Sequence, residues 1–385
     1  MKLLYNLSVC QPVGNVKRHG GGIYGEILFK RIVERGLPVS CCYDGSNWLN
    51  PDIKRLIEDY SIDCFDITNN SIENIVKQNG FDTLYTPIFI GLENFNACRI
   101  IATVHGLRTV EMPVDDFFLK YKSPLKARIK FYLSKYIPSY WNKRMRRGYE
   151  IIGNKENLDF VTVSYHSQAG FKAYFPELFK DKGIPVFYSP STIGDDVITN
   201  RVYQDKYFLL VSAGIPAKNN LRAIMAFDNL FSAGMLNGYN VRVTGVKDGS
   251  KFKYRIKNPE RFTFMGYVSD HELHQLYHDA YCFIYPSLNE GFGYPAVEAM
   301  SYGVPVLASP FSSITEVCNN AALYFNPFSI EEIMNRIIIM TNTELHSKLS
   351  SLAKEQYKNV GEKQVRDLDL LIDYIYQNGN SEEDK

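Results

Sequence analysis

Two carboxylates, Glu290 and Glu298, stand on either side of the glycine turn in SLNEGFGYPAVEAMSYGVPVLAS, residues 287–309. The turn is suited to an anion: a glycine-bounded loop entering a helix presents free N–H groups and a partial positive charge. A glutamate aimed at a bound diphosphate would repel it by about a kcal/mol or more near contact. The two carboxylates are therefore expected to meet hydroxyls. One lies before the turn and the other a helical turn beyond it, about the separation of the two sugars in a nucleotide diphosphate sugar. Taken singly, each is also the kind of acidic residue that a helix dipole favours in a first turn. Three further residue groups could do chemistry. His105 ends the run RIIATVH, Lys218 follows LLVSAGIPA, and Gly20, Gly21 and Gly22 precede a helix-like segment. A strand-end histidine commonly packs or caps, and a glycine triplet commonly makes only a turn.

The elements that must hold these groups can be read from the hydrophobic pattern. Short apolar runs (LLYNLSVC, PVSCCY, TLYTPIFI, RIIATVH, FVTVSYH) alternate with amphipathic stretches such as residues 25–35, the pattern of a parallel sheet wrapped by helices. The rhythm restarts near residue 207 with YFLLVSAG. Helices are expected at 221–233, 270–280 and 295–301, and strands at NVRVTG, FTFMG, AYCFIYPS and VPVLAS. Pro295 fits a first helical turn, and Gly303 with Pro305 fits the stop. The fold expected is α/β, with two doubly wound domains: residues 1–190, residues 206–360, and a C-terminal helix and tail over 361–385. The polar stretch 189–205 serves as linker.

Two patterns that resemble metal sites are set aside. His271, His274 and His278 share a helical face opposite Leu273, Leu276, Tyr277 and Ala280, and Ser269 with Glu272 forms a capping box, so the histidines are expected in solvent. Asp367 and Asp369 fall two apart in a helical pattern and do not face one another. No metal or cofactor is expected.

Composition bounds the rest. The chain has 385 residues with 45% hydrophobic and 22% charged, and its apolar runs are strand-sized, well short of the roughly 20 residues of a membrane span. The N-terminus reads as a buried strand rather than a signal peptide, and seven scattered cysteines without C-x-x-C read as reduced thiols, which together imply a cytoplasmic protein. Net charge is +1, but residues 117–149 carry ten Lys or Arg and no acid, interleaved with Phe, Tyr, Leu, Ile and Trp141. That composition suits a helix resting on an anionic membrane surface. A nucleic-acid surface is disfavoured, because the remaining 33 basic residues are outnumbered by all 42 acidic ones.

The run EGFGYP at 290–295, followed by Glu298, Ala299, Met300, Gly303, Pro305 and Val306, resembles the signature of the retaining glycosyltransferases of family 4, group 1 and mannosyltransferase-like. The similarity extends over about 65 residues, 262–327. The resemblance implies the GT-B fold, with two Rossmann-like domains facing across a cleft. It also implies metal-independent transfer from a nucleotide diphosphate sugar to a glycan or lipid-linked acceptor in surface polysaccharide synthesis. In the same reading Glu290 contacts the donor sugar, Gly291, Phe292, Gly293 and Tyr294 approach sugar and diphosphate, and Glu298 binds the ribose. Tyr267 and Val268 lie beside the base, and Lys218 neutralises the diphosphate. His105 contacts the sugar near the reacting carbon, and Gly21 and Gly22 admit donor phosphates or acceptor. The chain departs from the family pattern at Ala217, where an arginine is common, and at Ser212, where a glycine is common. Arg222 is the candidate to replace the missing cation. Rival readings are an epimerase or hydrolase of the same fold, or a non-catalytic sugar-nucleotide binder.

Overall fold

The computed structural model describes residues 1–14, 17–180, 182–193 and 205–377. Most of the expected linker and all of the last eight residues lie outside the described residues. The chain divides into two compact units, one made of Met1–Gly106, Arg147–Thr192 and Glu362–Lys385, the other of Leu107–Arg146 and Ile193–Gly361.

The first unit is built on β1 (Leu3–Asn6), β2 (Ser40–Tyr43), β3 (Cys64–Asp66), β4 (Thr83–Thr86), β5 (Arg99–Val104) and β6 (Leu158–Thr162). All pair in parallel, in the order β3-β2-β1-β4-β5-β6. All four residues of β1 and of β4 are buried, which is why these strands read as continuous apolar runs rather than alternating ones. The order reverses between β1 and β4, and the chain leaves the carboxyl ends of the neighbouring strands at Leu7, Pro87 and His105.

The second unit repeats the plan with β7 (Lys206–Leu210), β8 (Tyr239–Val243), β9 (Phe262–Phe264), β10 (Cys282–Tyr285), β11 (Val306–Ala308) and β12 (Ala322–Tyr324), in the order β12-β11-β10-β7-β8-β9. Read from the other edge this is the same winding as the first sheet, with the reversal between β7 and β10. Phe208, Leu210, Ile224, Phe227, Val241 and Ile284 are the centre of its core, all essentially inaccessible to solvent. The expected helices stand at Asn220–Ser232, Asp270–Asp279 and Tyr294–Ser301.

Four expectations need correction. The helix expected from residue 25 begins at Gly20 and runs to Glu34, because the His19 side chain accepts the Gly22 N–H at 3.1 Å and caps it. The glycine triplet is thus a first helical turn, not a loop. The final helix spans Thr343–Gln377, starting well before the C-terminal helix expected within 361–385. Its last part is fixed in the first unit by a two-pronged Arg31–Asp369 pair at 3.0 Å and by an Arg35–Asp373 pair at 2.7 Å. Asp367 accepts the Tyr188 backbone N–H at 3.0 Å, so both aspartates of the set-aside pair have structural partners. Residues 107–146 belong to the second unit although the first domain was expected to run unbroken from 1 to 190. The physical reason is Tyr121, buried against Phe252 with its hydroxyl accepting the Leu221 N–H at 3.1 Å. Backbone bonds from Lys122 to Lys251 and from Lys253 to Lys120, at 2.8 and 2.7 Å, stitch the segment in place. Finally, His274 and His278 are not solvent-facing. Both pack on Tyr302, whose hydroxyl lies 3.1 Å from His274 Nδ1. The capping box between Ser269 and Glu272 is present as expected.

Candidate active site

The switch point of the second sheet brings together two loops, 211–219 after β7 and 286–293 after β10. They are tied to each other by the backbone bond from Leu288 N–H to Ala217 O at 2.9 Å. Asn219 binds them further: its buried side-chain amide donates to Pro286 O at 3.2 Å and to Pro327 O at 2.8 Å. Asn219 has φ +55°, a left-handed backbone that asparagine tolerates better than most residues. Ser212 is likewise left-handed at φ +60°, which explains why a glycine is common at that position in the resembling family.

This zipper sets Lys218 Nζ 2.6 Å from Glu290 Oε1. The same oxygen accepts from the Ser287 hydroxyl, and the Glu290 N–H donates to Ser312 Oγ at 2.7 Å. Lys218 also lies over the Tyr285 ring, 5.4 Å from its centroid. Burial on its own would raise the pKa of Glu290, yet it is held below the ordinary carboxylate range. The charge and hydrogen bond of Lys218, then the Ser287 hydroxyl and Arg108, outweigh desolvation. The site is a buried ion pair with its carboxylate ionised.

Sequence reasoning missed Arg108. Its Nη2 lies 3.7 Å from Glu290 Oε2 and 3.4 Å from Asn289 O, and the neighbouring Glu111 accepts the Asn289 side-chain amide at 2.7 Å. About half of the Arg108 side chain remains exposed. Arg222, the expected substitute cation, is committed elsewhere. It grips Asp115 at 2.6 and 3.0 Å, donates to Asn219 Oδ1 at 2.8 Å and stacks on Phe117 at 3.9 Å. No local signal marks Arg108, because the residue that shares its charge is far along the chain.

Beyond Glu290 the turn closes as expected. Gly293 caps the helix at φ +111°, and a Cβ there would sit 3.3 Å from Val317 Cγ2. Ser313 Oγ donates to the carbonyls of Glu290 and Phe292 at 3.0 and 2.8 Å, holding the turn from outside. Phe292 is buried against Tyr294, whereas Gly291 is partly open. Glu298 is half-buried one turn into the helix. After burial, its charge is the next cause that pushes the Tyr277 hydroxyl well above its ordinary pKa. Tyr267, 72% exposed, and Val268 follow β9 beyond the left-handed Gly266, at the same carboxyl edge of the sheet.

In the first unit, His105 sits at the end of β5 with Nε2 2.9 Å from Pro87 O, so that nitrogen donates and Nδ1 is left as an acceptor. Its ring stands edge-on to Tyr24 at 4.8 Å. Burial drives its pKa down to about 4, only partly opposed by the bond to Pro87. Gly21 faces it closely: a Cβ there would lie 3.6 Å from His105 Nε2 and 2.7 Å from Ile88 Cδ1. Gly22 lies equally tight, 2.7 Å from Cys10 O by the same measure. The structure thus joins Lys218 with Glu290, and His105 with Gly21. Among the described residues no group of three or more His, Cys, Asp or Glu is placed to hold a metal ion.

Comparison with known proteins adds a family match over part of the chain. Residues 195–359 match the family model for glycosyl transferases group 1. Over 173 residues the chain is 36% identical to the O-antigen chain mannosyltransferase RfbU of Salmonella typhimurium, covering 43% of this chain and 46% of that one. A stretch of 75 residues is 45% identical to O-antigen chain mannosyltransferase B of Escherichia coli, 20% of each. The chain therefore spans about half or less of the length of these curated relatives. Among solved structures, Anabaena HepE in complex with UDP-glucose aligns with TM-score 0.65 at 15% identity, over 98% of this chain and 100% of that one. WaaG, a glycosyltransferase involved in lipopolysaccharide biosynthesis, aligns with TM-score 0.63 at 13% identity, over 96% and 99%. At such identities the likeness speaks to fold alone. The chain has the GT-B fold, and residues 195–359, which hold Lys218, Glu290 and Glu298, are similar to the group 1 glycosyl transferases.

Proposed function

We propose that this protein is a retaining, metal-independent glycosyltransferase that moves a hexose, mannose by kinship with its relatives, from a nucleotide diphosphate sugar to a surface-glycan acceptor. The observation that carries this reading is the buried Lys218–Glu290 pair at the switch point of the second sheet. In the free protein each charge neutralises the other. On donor binding the ammonium turns to the diphosphate, and the carboxylate accepts hydrogen bonds from sugar hydroxyls, which strengthen as positive charge builds on the sugar ring. Arg108 supplies the second cation that Ala217 and the committed Arg222 do not. Glu298 takes the ribose hydroxyls, and Tyr267 and Val268 flank the base.

Retention follows from attack on the face the leaving group departs from. The acceptor oxygen bonds to the anomeric carbon as the carbon–phosphate oxygen bond breaks, and the departing phosphate takes the acceptor's proton. His105, neutral near pH 7, contributes a hydrogen bond to the sugar rather than a charge. The acceptor is lipid-linked and met at an anionic membrane surface. Among the described residues no helix is long and apolar enough to cross a membrane, so that encounter falls to the basic segment at 117–149.

A panel of GDP-, UDP- and ADP-sugars tests the reading by thermal shift, followed by the anomeric configuration of the product by NMR, with and without EDTA. One donor should raise the melting temperature by mass action, and transfer should retain configuration and survive chelation. No stabilising donor, an inverted product, or activity lost to EDTA and restored by Mn²⁺ would each contradict it.

A further inference from the structure

Two buried hydroxyls beside the candidate site, those of Tyr277 and Tyr285, meet hydrogen-bonding geometry with no group among the described residues. Their rings pack on Phe283, each with its centroid 5.4 Å away, in a layer where the ring between them does without a hydroxyl. A buried hydroxyl that lacks a partner costs stability that a phenylalanine would not. Each of the two is instead placed near one carboxylate of the site. Tyr277 feels the charge of Glu298 and Tyr285 that of Glu290, and after burial that charge is the next cause lifting each hydroxyl well above its ordinary pKa.

At Glu290 the free protein leaves that hydroxyl idle. Oε1 holds Lys218 Nζ at 2.6 Å and the Ser287 hydroxyl, and Oε2 faces Arg108 at 3.7 Å. Lys218 Nζ also stands 5.4 Å from the centroid of the Tyr285 ring, so the ring that carries the idle hydroxyl is the floor beneath the ammonium. The function proposed above turns Lys218 to a diphosphate, and the inference rests on that reading for its trigger. Glu290 is only 7% exposed, and a carboxylate so buried is strongly destabilised if its partner goes and nothing replaces it. We propose that Tyr285 is a positioning residue for the transfer, its hydroxyl donating to Glu290 when Lys218 leaves and holding the carboxylate ionised toward the sugar hydroxyls. The proton stays on the tyrosine oxygen, which burial and Glu290 itself make slow to give it up. Phenylalanine could not make this exchange, and that gives the residue type a reason which the free protein lacks.

The exchange is visible first in the free protein. Tyr285→Phe keeps the ring and removes a hydroxyl that bonds nothing while Lys218 is in place, so it should lower the melting temperature by no more than about 1 °C. In a Lys218→Met background Glu290 already depends on that hydroxyl, and the same change should lower the melting temperature by about 3 °C or more. A merely structural tyrosine would give equal shifts in the two backgrounds, and that result overturns the proposal. Calorimetry with GDP and with UDP as probes gives the second reading, and it needs no Lys218 variant should Lys218→Met fail to fold. Whichever nucleotide binds wild type more tightly should bind Tyr285→Phe about ten-fold more weakly, because the hydrogen bond forms only in the complex. Unchanged affinity overturns the proposal. Failure of both nucleotides to bind wild type, with the background-dependent shift intact, would instead count against the proposed function and leave the exchange at Glu290 standing.

Discussion

Glu290 stays charged in a buried place because Lys218 is 2.6 Å away, and the same pairing leaves half-exposed Arg108 as the nearest further cation. Arg108→Ala is expected to lower kcat/KM about ten-fold, a modest loss because its charge is partly screened by solvent. Steady-state kinetics with the identified donor check this, and a change under two-fold would remove Arg108 from the site. His105 makes a prediction about stability. Its folded pKa, about 4, lies below the ordinary imidazole value of 6.5, so the unfolded chain binds the proton first as pH falls. Stability is complete above about pH 6.5 and declines toward pH 4, by roughly 3 kcal/mol from this group. Urea unfolding at pH 7 and 4.5 should therefore show a smaller loss in His105→Gln than in wild type, and an identical loss would mean that burial does not hold the ring neutral. At this scale the local string EGFGYP made Glu290 legible, and Lys218 was legible from its place after the run LLVSAGIPA. Arg108, the committed Arg222 and the cap at His19 were not, because each acquires its meaning from a partner that folding alone brings near.

Elements whose ends are set by backbone chemistry were read well. Ser269 and Glu272 cap one helix, Pro295 opens the next, and Gly303, at φ +66°, closes it. Gly293 ties such a boundary to the site. Gly293→Ala places a side chain at φ +111° and close to Val317, which should cost about 1–3 kcal/mol and weaken donor binding. Denaturant midpoints and a donor thermal shift measure both, and unchanged values would mean that the turn relaxes freely. Elements defined by contact were read poorly. The helix Gly20–Glu34 was started late because histidine is an uncommon cap, and its glycines look like a loop. His274 and His278 were assigned to solvent because only tertiary structure brings Tyr302 to them.

At the scale of the whole molecule, alternation of strand and helix announced two doubly wound sheets, and both have the same reversed order. What the pattern could not give was the unit to which residues 107–146 belong, since Tyr121 and its backbone bonds to residues 251 and 253 are long-range. The basic stretch 117–149, which overlaps that segment, is the proposed membrane contact. Wild type should co-sediment with anionic vesicles at low salt and not with neutral ones, at about 1 kcal/mol per engaged cation. Changing Lys143, Arg144, Arg146 and Arg147 to Gln should abolish most of it, whereas equal binding by that variant would assign the segment to packing alone. The central claim, however, is sugar transfer at the paired carboxylate. Its most direct test is single-turnover transfer by Glu290→Gln beside donor affinity measured by calorimetry. The account expects transfer to fall about 100-fold or more with nucleotide binding retained. Near-normal transfer by the variant, with a verified donor and acceptor, would contradict it.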